Sequence, residues 1–174
     1  MAQITMRDVN ASAKRCQSQL EQLGYTVPTH TQYRISPRMT RALGNCAVKF
    51  NRMGEKLRVV ISISKDLPVH LLDNTMIHEQ IHAVLPVREG HGYRFQALAR
   101  EVNRTYGYKV STYASEEVSR EVSALRVENG SKVQVACSCG KTHIVTKQKA
   151  SKIMSNPTQY GCRGCGRYGQ FSVV

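Results

Sequence analysis

The segment His78-Glu79-Gln80-Ile81-His82 constrains this chain more than any other. Histidines at i and i+4 share a face only on a helix, where they lie one turn apart. Asp73 or Asn74 is a candidate cap for that helix, running from Thr75 to Leu85, and Pro86 must end it. A short loop, Val87-Arg88-Glu89-Gly90, precedes a second helical pattern from Tyr93 to about Arg104, with Phe95, Leu98, Ala99 and Val102 on one face. The chain therefore reverses near Gly90, and His91 can return to the face carrying His78 and His82. Three imidazoles leave a tetrahedral ion such as Zn²⁺ one open position, as a catalytic site requires. Glu79, beside the first of them, can polarise a water and carry its proton. His30, His70 and His143 have no such arrangement, and an ordinary surface or core role is expected for each.

Elsewhere the pattern predicts a small α+β fold. Val9, Ala13, Cys16, Leu20 and Leu23 form one stripe of a helix from Met6 to Leu23, opened by the Thr5/Asp8 capping pair and stopped by Gly24, which places Cys16 in the core. Tyr33–Ser36 reads as a short strand, and Ser36-Pro37 as the start of a short helix ending at Gly44. Asn45–Lys49 and the β-branched Leu57–Ser64 read as a hairpin, with Cys46 packing as a small hydrophobe. A further helix starts at Ser115 with Val118, Val122 and Leu125 on its face. Composition changes at Asn129-Gly130, the expected boundary between domains at 1–128 and 129–174.

Four of the six cysteines crowd the second segment as Cys137-Ser138-Cys139 and Cys162-Arg163-Gly164-Cys165. Without an apolar leader in Met1–Asp8, a secreted disulfide framework is not expected. Close thiolate pairs with glycines after each are what a second, structural Zn²⁺ takes. Short strands near Lys132–Ala136 and His143–Val145, a helix near Lys147–Ser155 and a last strand ending at Val174 complete this small ribbon.

Charge narrows the partners. The chain carries 25 Lys+Arg against 12 Asp+Glu, a net +13. Residues 1–65 account for +8 and 129–174 for +7, while 66–128 stand at −2. Such an excess fits a polyanion, DNA above all, through backbone contacts. Tyr160, Tyr168 and Phe171 among the ribbon's lysines and arginines are candidates for stacking on unpaired bases or for filling a small core. No apolar run long enough to span a membrane is present, so a cytoplasmic, DNA-associated protein is expected.

His78-Glu79-Gln80-Ile81-His82-Ala83 followed by Arg88-Glu89-Gly90-His91-Gly92-Tyr93-Arg94-Phe95 resembles the SprT-like (Spartan-type) zinc metalloproteases, with their H-E-x-x-H-A and G-H-G-x-x-F motifs. Leu43-Gly44-Asn45-Cys46, Ile61-Ser62-Ile63-Ser64 and Thr142-His143-Ile144-Val145 extend the resemblance, which covers about Tyr33 to Asn103 and the cysteine segment. It departs in a short His82–His91 loop and in Tyr93, where proline is common. The resemblance implies a metallopeptidase domain with His78, His82 and His91 on a catalytic zinc and Glu79 as general base. A C-terminal zinc ribbon on Cys137, Cys139, Cys162 and Cys165 is also implied. The implied substrate is DNA-bound or DNA-crosslinked protein. The rival is a nucleic-acid-binding zinc protein that regulates or tethers without cleaving. Tyr93 and Arg94 are weak candidates for stabilising an oxyanion.

Overall fold

The structure, a computed structural model, describes residues 3–39, 41–54 and 56–174. The chain divides into two compact units, Met1–Ser115 and Glu116–Val174. The division falls one helix earlier than the composition break at Asn129-Gly130.

In the N-terminal unit, α1 (Met6–Gln22) opens on a complete capping box. The Asp8 N–H donates to Thr5 Oγ1, and the Asp8 carboxylate accepts from the Thr5 N–H at 2.9 Å. Of its predicted stripe, Val9, Ala13, Cys16 and Leu20 are buried, while Leu23, at the C-cap, is only half-buried. Strands β1 (Thr31–Ser36), β2 (Gly44–Phe50) and β3 (Lys56–Ser64) form a sheet in the order β1-β3-β2. The hairpin β2/β3 is antiparallel, with Cys46 opposite Ile61, while β1 joins β3 in parallel, with Tyr33 also opposite Ile61. The short helix expected after Ser36-Pro37 is absent among the described residues. Pro37 and Arg38 form a turn, and Gly44 opens β2 instead of stopping a helix. That stretch offers Met39 and Leu43 but no full apolar stripe to bury.

Helix α2 (Leu72–Val84) packs against α1, β2, β3 and α3 (Tyr93–Tyr106). It is buried nearly all round: Leu72, Thr75, Met76, Ile77, Glu79, Gln80, Ile81 and Ala83 are all inside. Each of its large apolar side chains contributes on the order of 1.5–3 kcal/mol. The buried Gln80 amide donates to the Ala13 carbonyl at 2.9 Å and to the Tyr33 hydroxyl at 3.0 Å, tying α2 to α1 and β1. Lys56 on β3 donates to the Ala83 and Leu85 carbonyls, a cation at the helix C-terminus.

The expected caps of α2 do other work. Asp73 takes Ser12 Oγ at 2.6 Å and a two-pronged Arg15 guanidinium, and Asn74 Oδ1 accepts from the Lys109 N–H at 2.8 Å. A 3₁₀ turn at Val69–Leu71 starts the helix. After Pro86, a second 3₁₀ turn at Val87–Glu89 leads into α3, which ends on Gly107 at φ 74.

The C-terminal unit begins with α4 (Glu116–Glu128). Strands β4 (Val133–Cys137), β5 (Thr142–Val145) and β6 (Phe171–Val173) form an antiparallel sheet in the order β5-β4-β6. Helix α5 (Lys147–Ser155), capped by the Thr146 side chain, covers it. The buried cluster here is only Val135, Ala150 and Ile153, with Val133, Val145, Tyr160 and Phe171 packed around it. Of the three ribbon aromatics, Tyr160 and Phe171 thus fill core, while Tyr168 is 65% exposed.

Candidate metal centres

His78 and His82 stand one turn apart on α2, and the reversal after Pro86 brings His91 to them. Their Nε2 atoms form a nearly equilateral triangle: 3.2 Å for His78–His82, 3.1 Å for His82–His91 and 3.1 Å for His78–His91. Nitrogens bonded to one tetrahedral ion at about 2.0–2.1 Å lie about 3.3 Å apart. The donor set therefore fits a zinc-type ion and leaves one side free. Phe95, read from sequence as a stripe residue of α3, floors the cluster with its ring centroid 4.9, 4.6 and 4.7 Å from those of His78, His82 and His91.

Burial, reinforced by the neighbouring imidazoles, lowers both His78 and His82 to about 4, so at neutral pH both rings are uncharged and their lone pairs are available to a cation. The Ser111 carbonyl hydrogen-bonds the His78 ring, the usual way an imidazole is oriented for ligation. Asn103 holds that segment, exchanging two hydrogen bonds with the Val110 backbone at 2.8 and 2.9 Å.

His91 is the exposed corner, and its loop is clamped. Gly90 sits at φ 52, which favours glycine. Glu89 wraps the turn: its carboxylate accepts the Arg94 N–H at 2.8 Å, and its carbonyl accepts the Gly92 N–H at 2.8 Å. A Cβ on Gly92 would stand 2.5 Å from that carboxylate. Gln96 donates to the His91 carbonyl at 3.1 Å. Of these supports only the glycines flanking His91 were legible in the sequence. Glu89 could have been found as an acid just ahead of a helix start, whereas Gln96 carried no signal. Tyr93 and Arg94 open α3 exposed.

Glu79 is 6% exposed. Burial raises its carboxyl to about 8, opposed by a hydrogen bond from the Cys46 backbone N–H. Gly44 on β2 lies directly against it: a Cβ there would come within 2.6 Å of Glu79 Oε1 and 2.8 Å of Thr75 Cγ2. The first residues of β2 therefore form a backbone cradle for this carboxyl.

In the C-terminal unit Cys137, Cys139, Cys162 and Cys165 bring four sulfurs within 4.8 Å of one another. The Cys137–Cys165 and Cys139–Cys162 separations are both 3.8 Å. Zn–S bonds of about 2.3 Å at tetrahedral angles give about 3.8 Å. Each knuckle closes through a glycine N–H: Gly140 onto the Cys137 carbonyl at 2.9 Å and Gly166 onto the Cys162 carbonyl at 2.8 Å, both glycines at positive φ. Cys162 is the supported sulfur, with His143 Nε2 at 3.2 Å and the Gly164 N–H at 3.3 Å. The His143 ring, foremost, holds that thiol well below its usual range. An ordinary role is expected for His143 from sequence, since β5 brings it to the cluster only through pairing with β4. Cys16 is buried and Cys46 half-buried, both against the N-terminal core.

The SprT-like family model matches residues 11–114, ending one residue short of the limit of the N-terminal unit. The chain belongs to the SprT-like family. The SprT-like segment contains the histidine triangle, Glu79 and its β2 cradle, while the cysteine cluster lies beyond it. The chain is also similar to the DNA-dependent metalloprotease dvc-1 of Caenorhabditis elegans, at 37% identity over 90 residues. That similarity covers 46% of this SprT-like chain and 24% of the relative, so the chain spans about a quarter of that protein. Among the described residues no helix is long and apolar enough to cross a membrane.

Proposed function

We propose that this chain is a zinc-dependent endopeptidase that cleaves protein held on DNA. The observation that carries the reading is the Nε2 triangle of His78, His82 and His91, the first two on the same buried helix as the cradled Glu79. A bound zinc ion supplies Lewis acidity toward a scissile carbonyl and a water. The positive charge of such an ion would counter the burial that otherwise keeps Glu79 neutral, so that its carboxylate would take the water proton and deliver it to the leaving nitrogen. Gly44 and the Cys46 amide keep that carboxylate aimed, and Phe95 excludes water beneath the imidazoles. The four cysteines hold a second zinc with every position filled by protein, a structural role.

Charge and the relative's name support DNA as partner. Tyr168 adds a reason to favour unpaired strands. Its exposed ring lies over Gly161, where an added Cβ would come within 3.1 Å, and residues 129–174 contain no acid. A ring pinned on one face and open on the other is a stacking platform. The deciding assay measures cleavage of a DNA-bound protein with and without DNA, comparing wild type with Glu79→Gln. The proposal requires DNA-stimulated cleavage by wild type and its loss in the variant. Tight DNA binding with no cleavage under any condition would establish the tethering reading instead. Cleavage indifferent to DNA would leave a peptidase whose charge serves solubility.

A further inference from the structure

The N-terminal sheet has two faces, and the peptidase reading uses one. Tyr33, Cys46, Val48, Val59 and Ile61 turn toward the helices. Strand register places three rows on the other side: Arg34, Ser62 and Asn45; Gln32, Val60 and Ala47; Arg58 and Lys49. Arg34, Asn45, Ala47, Lys49 and Arg58 are exposed.

Among the described residues this face carries cations and no carboxylate. The acids of residues 1–65 are Asp8 and Glu21, which lie on α1, and Glu55, which is outside the described residues. Both guanidiniums are steadied by neutral groups. Arg34 Nε donates to Ser62 Oγ at 2.8 Å, and Arg58 Nη2 donates to Gln32 Oε1. The ion pairs Arg15–Asp73, Lys65–Asp66 and Arg120–Glu116 all lie off this face. The positive charge is therefore oriented without being neutralised. At the sheet's end His30, Lys49 and Arg58 line a shallow groove of about 540 Å³. Four residues of strand separate the Arg34 row from the Arg58–Lys49 row, about 13 Å, a length over which a nucleic-acid strand presents several phosphates.

We infer that this outer sheet face binds the sugar-phosphate backbone of nucleic acid through Arg34, Lys49 and Arg58, independently of sequence. The assignment rests on the proposal that the chain works on DNA, and it places three of the eleven cations of residues 1–65 on one surface. Side chains of this type set register and contribute affinity without reading bases.

The test titrates the full, metal-loaded chain with a labelled mixed-sequence DNA oligonucleotide over a range of salt. Arg34→Gln/Lys49→Gln/Arg58→Gln should reduce the slope of log K against log salt by about 2–3, one phosphate contact per residue. Arg7→Gln/Lys14→Gln/Arg104→Gln removes the same charge from exposed helical positions and should leave the slope within about 1 of wild type. Lys49→Glu alone, at an exposed edge position, should lower it by about 1 or more, which covers failure of the triple variant to fold. Arg34→Lys/Lys49→Arg/Arg58→Lys should restore it. A wild-type slope in the first triple or in Lys49→Glu overturns the inference, as does an equal loss in both triples. If the DNA slope is unchanged but cleavage of a DNA-free acidic polypeptide weakens, the face serves the protein substrate and the inference is wrong. Absence of DNA binding by wild type at low salt removes the DNA reading and this inference with it, whereas wild-type binding with an unaltered variant slope removes this inference alone.

Discussion

Two corners of the histidine triangle, His78 and His82, stand on the most enclosed helix of the N-terminal unit, while the cysteine cluster accompanies a core of only Val135, Ala150 and Ile153. The donor spacing suits zinc in both, but the surroundings differ. Under the histidines, α2 is fastened by Gln80, Lys56, Asp73 and a continuous apolar cluster, none of which needs a metal. Around the cysteines, apolar burial is slight, and the two knuckles are joined mainly through sulfur. On the proposed reading one unit would hold its ion as a tool, whereas the other would need its ion as part of its skeleton.

The largest expected effect comes from stripping metal. The residues of β4, β5, β6 and α5 should lose amide-exchange protection, because binding energy of about 10–16 kcal/mol for a structural zinc is folding energy. The N-terminal core should stay protected. Hydrogen exchange by mass spectrometry decides this, and a protected metal-free ribbon would break the contrast.

Next is Glu79→Gln, expected to lower cleavage by about 10²–10⁴-fold with both metals retained. Metal analysis alongside single-turnover proteolysis reads it, and activity near wild type would remove Glu79 from the chemistry.

Acid should act on the metal-free N-terminal unit in a defined window. Unfolded imidazoles take up protons near 6.5, but folded His78 and His82 resist until about 4. Between these values the unfolded state binds more protons on the two imidazoles, while buried Glu79, raised from 4.5 to about 8, keeps one proton that the unfolded state gives up, so net stability falls only by the difference, as pH drops below about 6. Urea midpoints across that range test the sign, and His78→Gln/His82→Gln, which leaves the opposing Glu79 proton, should reverse the slope above about 4.5.

The smallest effect concerns the exposed corner. Glu89→Ala removes the acceptor of the Arg94 N–H and loosens the turn that presents His91, so affinity at the histidine site should fall about 10-fold. The cysteine site should be unaffected. Competition with a chromogenic chelator separates the two, and equal weakening at both would count against a local clamp.

Periodic and short-range features were legible in the sequence. The α1 stripe, the β2/β3 hairpin, the helix ended by Pro86 and the two cysteine knuckles each follow from residues within one or two turns of one another. The return of His91 was legible because Pro86 and Gly90 leave so short a path. Long-range pairing was not. Nothing local says that β1 joins β3 in parallel, or that Asp73 clamps Ser12 and Arg15 of α1 instead of capping its own helix. The unit limit at Ser115 was missed because α4 differs from its neighbours in packing, not in composition. The support of Cys162 by His143 likewise depends on strand register.

Gly44 has no functional group, yet its missing side chain is a condition for the carboxyl beside it. Under selection for activity such a position should tolerate nothing larger, while under selection for stability alone it should drift freely wherever Glu79 and Thr75 can give way. Comparing the two tolerance profiles at position 44 would tell a working enzyme from a retired one without a substrate in hand. Gly44→Ala would also supply a silent form of the protein that keeps every donor, charge and proton-carrying group of the native chain.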